Sequence, residues 1–289
     1  MSESIIYEKI GEIAKIWLNR PTRRNAFTKE MCDRFEQALK DAEKDQEVRV
    51  IIIEGKGENF NSSYDHNDPE VIIAGEGKVV PFDVRRLDTQ HDIDYWFRVF
   101  DIKKPIICGI QGACLACGVW ISQFADIVIA ATNVEFHALE YPIGLNGSDI
   151  LPIHFWKLPM NIAMEFALTG YPIDAKTGLR YGLFNHVVEP DKVDETCMKI
   201  ASRMLRLNPY TLSIQHEIGQ LAHELQGMRH IIPLAKESYN CSTTITSTPE
   251  SDEHWRWGQE HGMEEMSNHF YRMMDNLREQ DDWHIDDVY

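Results

Sequence analysis

The chain's most chemical-looking spacings involve thiols and imidazoles. Cys114-Leu-Ala-Cys117 has the C-x-x-C spacing of a zinc knuckle or a redox pair. A structural zinc takes four ligands, so a second pair or a histidine cluster should accompany the first. Neither does, and neither metal nor redox chemistry is expected there. Cys32, Cys108, Cys197 and Cys241 show no framework spacing and read as free thiols. His261, Glu265 and His269 recur every four residues, as a ligand row on a helix would. Met263, Met266, Phe270, Met273 and Met274 would form that helix's buried side, so the row reads as an acidic solvated face. The sequence calls for no metal ion.

Composition narrows the remaining classes. The 289 residues hold 29 Lys+Arg against 46 Asp+Glu, a formal net charge of −17. Such a chain does not hold nucleic acid or an anionic membrane surface by bulk attraction. At 43 % hydrophobic and 26 % charged it is ordinary globular material. No apolar run approaches the roughly 20 residues that span a bilayer. The opening MSESIIYEK lacks the basic start and apolar stretch of a signal peptide, so a cytoplasmic location is expected. Eleven Asp/Glu against three Arg between Ser251 and Tyr289 put −8 of the charge on an acidic tail.

The first half alternates strands and helices. Ile13 to Leu18, apolar but for Lys15, reads as a strand. Met31, Phe35, Ala38, Leu39 and Ala42 recur at helical spacing behind Thr28, a good N-cap. Val48 to Ile53 is a β-branched run of the kind buried in parallel sheets. From Gly57 to Val84 no period is clean, which marks a working or disordered loop. Leu87, Ile93, Trp96, Phe97 and Phe100 mark a helix, followed by strands at Pro105–Ile110 and Ile127–Ala131 with a small-residue turn and helix between. After Pro159 the pattern is helical, with stripes Ile162/Ala163/Phe166/Ala167 and Val193/Cys197/Ile200/Met204 and further helices over about 209–226 and 252–279. An alternating α/β core followed by a helical part is expected.

Six stretches in order then resemble one family. Asn19-Arg-Pro-Thr-Arg-Arg-Asn-Ala26 resembles the N-R-P-x-x-x-N-A signature of the enoyl-CoA hydratase/isomerase (crotonase) superfamily, and Gly57–Asp65 resembles its G-x-x-F-x-[AS]-G-x-D loop. Pro105–Ala130 aligns without a gap on its central P-x-I-A…G-G-G…D-I-x-x-A segment. Phe136–Gly144, Leu168–Gly170 and Tyr181–Val188 follow. The resemblance implies a crotonase-like spiral of ββα turns over residues 1–200 and a helical trimerisation region over 201–289, in a homotrimer or homohexamer. It implies an acyl-CoA substrate, with coenzyme A as part of the substrate and no separate cofactor. The shared chemistry would be an enolate or similar oxyanion at the thioester carbonyl.

By motif position, the resemblance assigns the two backbone donors of the oxyanion hole to Tyr64 and Cys117. It places Glu140 at the second of two catalytic carboxylates, while Trp120 stands where hydratases carry the first. Holding and deprotonating water while protonating carbon wants two such groups, whereas a double-bond isomerisation needs one base. Trp120 is then either core packing or a wall of the acyl pocket. Asp149 falls where members with other chemistry place an Asp, or is a turn residue after Gly147. His137 is a second acid/base or a packed imidazole, and His66 touches substrate or water. Arg23 and Arg24 suit the coenzyme A phosphates, with Ala26 beneath the adenine end and Ser62 and Asp65 lining the region. Two family glycines are replaced, by Ser63 and by Ala116, which implies a slightly altered hole.

Three functions remain. Enoyl-CoA isomerisation or hydration on the single base Glu140 leads. A C–C hydrolase or lyase acting on a cyclic or aromatic β-diketone-type acyl group, with Glu140 and Asp149 managing water, is second. A non-catalytic coenzyme-A-binding homologue is third.

Overall fold

The computed structural model describes residues 3–65, 68, 94–137, 151–170, 172–245, 256–257 and 260–261. Its strands are β1 (Ile5–Ile10), β2 (Ile13–Leu18), β3 (Val50–Gly55), β4 (Ile106–Ile110), β5 (Ala113–Leu115), β6 (Ile127–Ala131), β7 (Glu135–His137) and β8 (His186–Val188). The helices are α1 (Lys29–Lys44), α2 (described over 94–101), α3 (Cys117–Phe124), α4 (Leu151–Lys157), α5 (Met160–Thr169), α6 (Ala175–Arg180), α7 (Val193–Met204), α8 (Pro209–Leu225) and α9 (Met228–Ile245).

Six strands form one sheet in the order β1-β2-β3-β4-β6-β8, antiparallel at β1/β2 and parallel thereafter. A second, smaller layer runs beside it. Phe27 bridges Tyr64, Asn61 bridges Cys114, β5 pairs with β7, and Phe136 bridges Ile173. Each turn of the chain therefore gives one strand to the large sheet, one short extended segment to the small layer, and then a helix. The turns β2–Phe27–α1, the stretch from β3 through 61–64 to α2, and β4–β5–α3 follow this order, the ββα spiral expected from the motifs.

The N-cap at Thr28 is as expected: its hydroxyl accepts from Met31 N–H at 3.2 Å, and Met31, Phe35, Ala38, Leu39 and Ala42 are buried. The two faces of the large sheet bury separate cores, because side chains alternate along each strand. Ala14, Ile16, Leu18, Ile51, Ile53, Cys108 and Ile110 face the main core under α1, α2 and α3. Ile13, Val50, Ile52, Ile107 and Ile129 face a smaller one under α7. The expected stripe on α7 lies there, with Val193 and Cys197 buried and Ile200 and Met204 packed against it.

Lys15, which looked like an interruption of β2, is buried on that outer face. It pairs with Glu54 Oε2 at 3.0 Å and with Asp194 at the start of α7. Burial alone would lower the Lys15 pKa, but the two carboxylates outweigh it and the net shift is upward. Burial also lifts the Glu54 carboxyl to about 7, against the pull of Lys15. α9, which carries Pro233 in its interior, was not expected as a helix. Most of the expected loop 57–84 and helix 252–279 lies outside the described residues. Among the described residues no helix is long and apolar enough to cross a membrane.

Candidate active site

The segment after β2 passes through left-handed backbone at Arg24 (φ 48°) and Asn25 (φ 56°). Asn tolerates this region because its short side chain bonds backbone nearby. The buried Asn25 accepts Arg20 N–H at 2.8 Å and donates from Nδ2 to Lys56 O (3.0 Å) and Asn59 O (2.7 Å). One amide thus ties the turn to the end of β3. Arg20 donates to Ala26 O and pairs with Asp65 at 2.9 Å. Asp65, expected to line the ligand region, is buried and held by this arginine. Arg23 and Arg24 stand exposed on the same turn, with Ala26 buried behind them and Ser62 N–H bonded to Arg24 O at 3.0 Å.

The loop over 61–65 lies between Phe27 and β5. Phe27 N–H donates to Ser63 O (2.9 Å) and Asp65 N–H to Phe27 O (2.8 Å). In a parallel bridge of this kind the intervening residue turns its own N–H and C=O the other way. Tyr64 N–H therefore faces the β5 side, where α3 begins. Cys117 is the first residue of α3, in the turn whose N–H groups have no intrahelical acceptor and carry the positive end of the helix dipole.

α3 approaches this loop closely. A Cβ on Gly118 would sit 3.1 Å from Asn61 O and 3.3 Å from Asn61 Cβ, tight enough that the loop would have to give by a few tenths of an ångström. Ser63 Oγ meets Cys117 Sγ at 3.7 Å. Ser63 and Ala116, the residues preceding the two donors, both hold positive φ, 87° and 41°. For a residue with a Cβ this costs about 1–3 kcal/mol and persists only where the surroundings impose it. Here Asn61 does so for Ser63, accepting its N–H at 2.9 Å. Ala116 N–H is bonded to His137 O at 3.1 Å.

Trp120 and His137 sit behind this centre. Trp120 is 5 % exposed and stacks on Phe124 at 5.4 Å and 28°, at the head of an aromatic cluster with Phe97 and Phe100. Tyr64 leans on Trp96 at 6.2 Å, and Trp96 on Phe27 at 5.8 Å. His137 is fully buried and its Nε2 is 2.5 Å from Gly170 O, which makes Nε2 the protonated nitrogen. Burial lowers its pKa to about 4, partly offset by that bond, so it is neutral near pH 7. The two C-x-x-C thiols have separate neighbours, Cys114 meeting Ser122 Oγ at 3.8 Å while Cys117 meets Ser63. Among the described residues no three metal-ligating side chains gather. Of the helical row only His261 is described, with Nδ1 2.9 Å from Trp257 O.

The sequence model described as enoyl-CoA hydratase/isomerase matches residues 8–253. The chain belongs to that family. Among its relatives is the "Probable enoyl-CoA hydratase echA12" of Mycobacterium bovis, 30 % identical over 198 residues, which are 67 % of this chain and 68 % of that one. The carnitinyl-CoA dehydratase of Citrobacter koseri is 28 % identical over 243 residues, 83 % of this chain and 90 % of its own. A crystal structure of an enoyl-CoA hydratase/isomerase from Xanthobacter autotrophicus Py2 superposes with a TM-score of 0.81 at 26 % identity, covering 93 % of this chain and 98 % of that chain.

Within this enoyl-CoA hydratase/isomerase family chain, the structure brings the loop of Tyr64 and the start of α3 at Cys117 into contact. It sets Arg23, Arg24, Ala26 and Ser62 along the turn beside them. Trp120 lies three residues into α3 from Cys117. Glu140, Asp149 and His66 lie outside the described residues. Two features were not read from the sequence: the Arg20–Asp65 pair and the Ser63–Cys117 contact. The replaced glycine at Ser63 was the available signal for the second.

Proposed function

We propose that this chain processes an acyl thioester of coenzyme A, isomerising or hydrating an enoyl-CoA through an oxyanion held by Tyr64 N–H and Cys117 N–H. The observation that carries the reading is the meeting of two differently built donors: a bridge residue facing β5 and the first N–H of α3. Preorganised donors act on charge that develops in the transition state, each contributing roughly 3–4 kcal/mol in a dry site. Arg23 and Arg24, exposed on the adjoining turn, match the phosphates of the carrier. Family membership and the carnitinyl-CoA dehydratase relative support the substrate class.

Glu140 is the base in this reading. Trp120 supplies no carboxylate to α3, so one-base proton transfer between carbons is favoured over addition of water. Glu140→Gln is expected to lower kcat on an enoyl-CoA about 10²–10⁴-fold. An unchanged kcat in Glu140→Gln would reject that assignment, and product analysis with 2-enoyl, 3-enoyl and cyclic 1,3-diketone thioesters separates isomerase, hydratase and C–C hydrolase.

The assembly in this reading is a trimer or a pair of trimers. Tyr210, Ile214, Ile218, Leu221 and Leu225 recur at helical spacing along α8 and are all exposed, as is Leu234 on α9. An apolar stripe this long marks an interface. Light scattering on the purified chain is expected to give a multiple of three protomers, and a monomer at micromolar concentration contradicts it.

A further inference from the structure

Among the described residues, four non-glycines hold positive φ: Arg24, Asn25, Ser63 and Ala116. The first two belong to one turn. The other two stand immediately before the two donors of the proposed oxyanion hole. Ala116 brings no functional group to its position, so its conformation serves geometry alone. Ser63 does bring one. Its N–H is bonded to Asn61 Oδ1 at 2.9 Å, and its carbonyl accepts from Phe27 N–H at 2.9 Å and Asn61 Nδ2 at 3.4 Å. The hydroxyl is the group of Ser63 outside this network, and it touches Cys117 Sγ at 3.7 Å.

We infer that the Ser63 hydroxyl is a third donor to the thioester oxyanion, seated by the Cys117 thiol. The inference rests on the acyl-thioester reading above. Oγ lies one peptide unit from the Tyr64 nitrogen, and the Sγ it touches belongs to the residue that carries the second donor. The contact therefore joins the residue that precedes one proposed donor to the residue that carries the other. A thiol is a weak donor and a weak acceptor, so it positions the hydroxyl without competing for its proton. With Cys117 S–H directed to Oγ, the Ser63 O–H is turned outward to a stronger acceptor. An anionic oxygen is such an acceptor, and O–H···O⁻ bonds are short and strong. Ser63 is 7 % exposed and Cys117 3 % exposed, so water competes little for either. Strain at a residue that glycine would relieve is accounted for when its side chain acts on the ligand.

Two substitutions separate the hydroxyl from the backbone. Ser63→Ala keeps the Cβ and the strained φ but removes the hydroxyl. Ser63→Gly removes both the hydroxyl and the strain. With the full-length chain and crotonyl-CoA labelled with ¹³C at its carbonyl, both variants are expected to lose about 10- to 100-fold in kcat. In both, the bound C=O stretching band should move back toward its position in free crotonyl-CoA. Ser63→Gly should melt at or above the wild-type temperature, which rules out unfolding as the cause. If Ser63→Ala keeps kcat within about 2-fold and leaves the band where it is, the hydroxyl is no donor and the inference fails. Loss in Ser63→Gly alone also overturns it, because only backbone shape would then matter. A wild-type chain that neither binds nor turns over the thioester rejects the acyl-thioester reading first, and this inference with it.

Discussion

The two faces of the large sheet differ in how they bury their polar groups. On the outer face, under α7, the polar groups are full charges matched to one another, Lys15 to Glu54 and Asp194. Gly109 lets α7 come close there, since a Cβ would meet Val193 Cγ1 at 2.8 Å and Cys197 Sγ at 2.9 Å. The inner side holds one ion pair of its own, Arg20 with the buried Asp65, but around the 61–65 loop and α3 it also buries neutral polar groups. They include the Ser63–Cys117 contact, His137 bonded to Gly170 O, and His154, both of whose ring nitrogens lack a hydrogen-bond partner among the described residues. Positive φ at Ser63 and Ala116 also lies on this side. The outer face is arranged to hold a helix in place. The inner face keeps strained backbone, a weak hydroxyl–thiol contact and an unbonded imidazole, features that stability alone would remove.

The sharpest way to break this contrast is to remove the outer cation. Lys15→Met leaves Glu54 as a buried carboxylate without its partner, which costs about 3–5 kcal/mol. Glu54 already titrates near 7 because of burial, and losing Lys15 raises it further. A raised carboxyl favours the folded state below its unfolded pKa near 4.5 and loses that share as pH rises. The variant's deficit should therefore be small at pH 5 and largest at pH 8, measured by urea unfolding at each pH. Adding Glu54→Leu should restore most of the loss. At a temperature well below its midpoint the single variant should keep kcat, because Lys15 lies on the α7 side of the sheet, away from the proposed donors. A large drop in kcat would show that the two faces are coupled.

A smaller effect tests the inner face. Burial lowers the His154 pKa to about 3, against about 6.5 in the unfolded chain. The group's share of stability is present above about pH 6.5. It is lost as pH falls from there toward 3, because the unfolded chain binds the proton first, at up to about 1.4 kcal/mol per pH unit. His154→Leu removes an unbonded imidazole of similar reach. It should equal or exceed the wild-type stability at pH 7.5 and fall less steeply between pH 6.5 and 4.5. Parallel pH profiles for the two chains would mean that His154 gains a partner in solution.

Much of the scaffold was legible in residue order. The β-branched run at β3 and the Thr28 cap rest on local preferences, so they could be read without partners. The order of motifs pointed to Tyr64 and Cys117 because backbone donors are tied to chain position rather than to side-chain identity. The burial of Lys15 within the expected strand could not be read from the sequence for a physical reason. A lone cation in an apolar strand is compatible with an edge, a break or a buried pair, and Asp194, which helps to settle the matter, is 179 residues away. The positive φ of Ser63 and Ala116 was signalled only by the family glycines they replace, since both residue types ordinarily avoid that region and the neighbouring contacts force it.

The sequence by itself determined the spiral order of strands and helices, the identity of the two candidate donors and the absence of a carboxylate at Trp120. Propensity and alternation gave the succession of strands and helices, while the spiral, the donors and the meaning of Trp120 came from the resemblance to the family's motifs. Tertiary structure alone decided that Asp65 is clamped by Arg20, that His137 spends its proton on Gly170 O, and that Ser63 and Cys117 touch. Each of these depends on groups far apart in sequence being pressed within hydrogen-bond or van der Waals range, a condition that packing imposes and composition does not record.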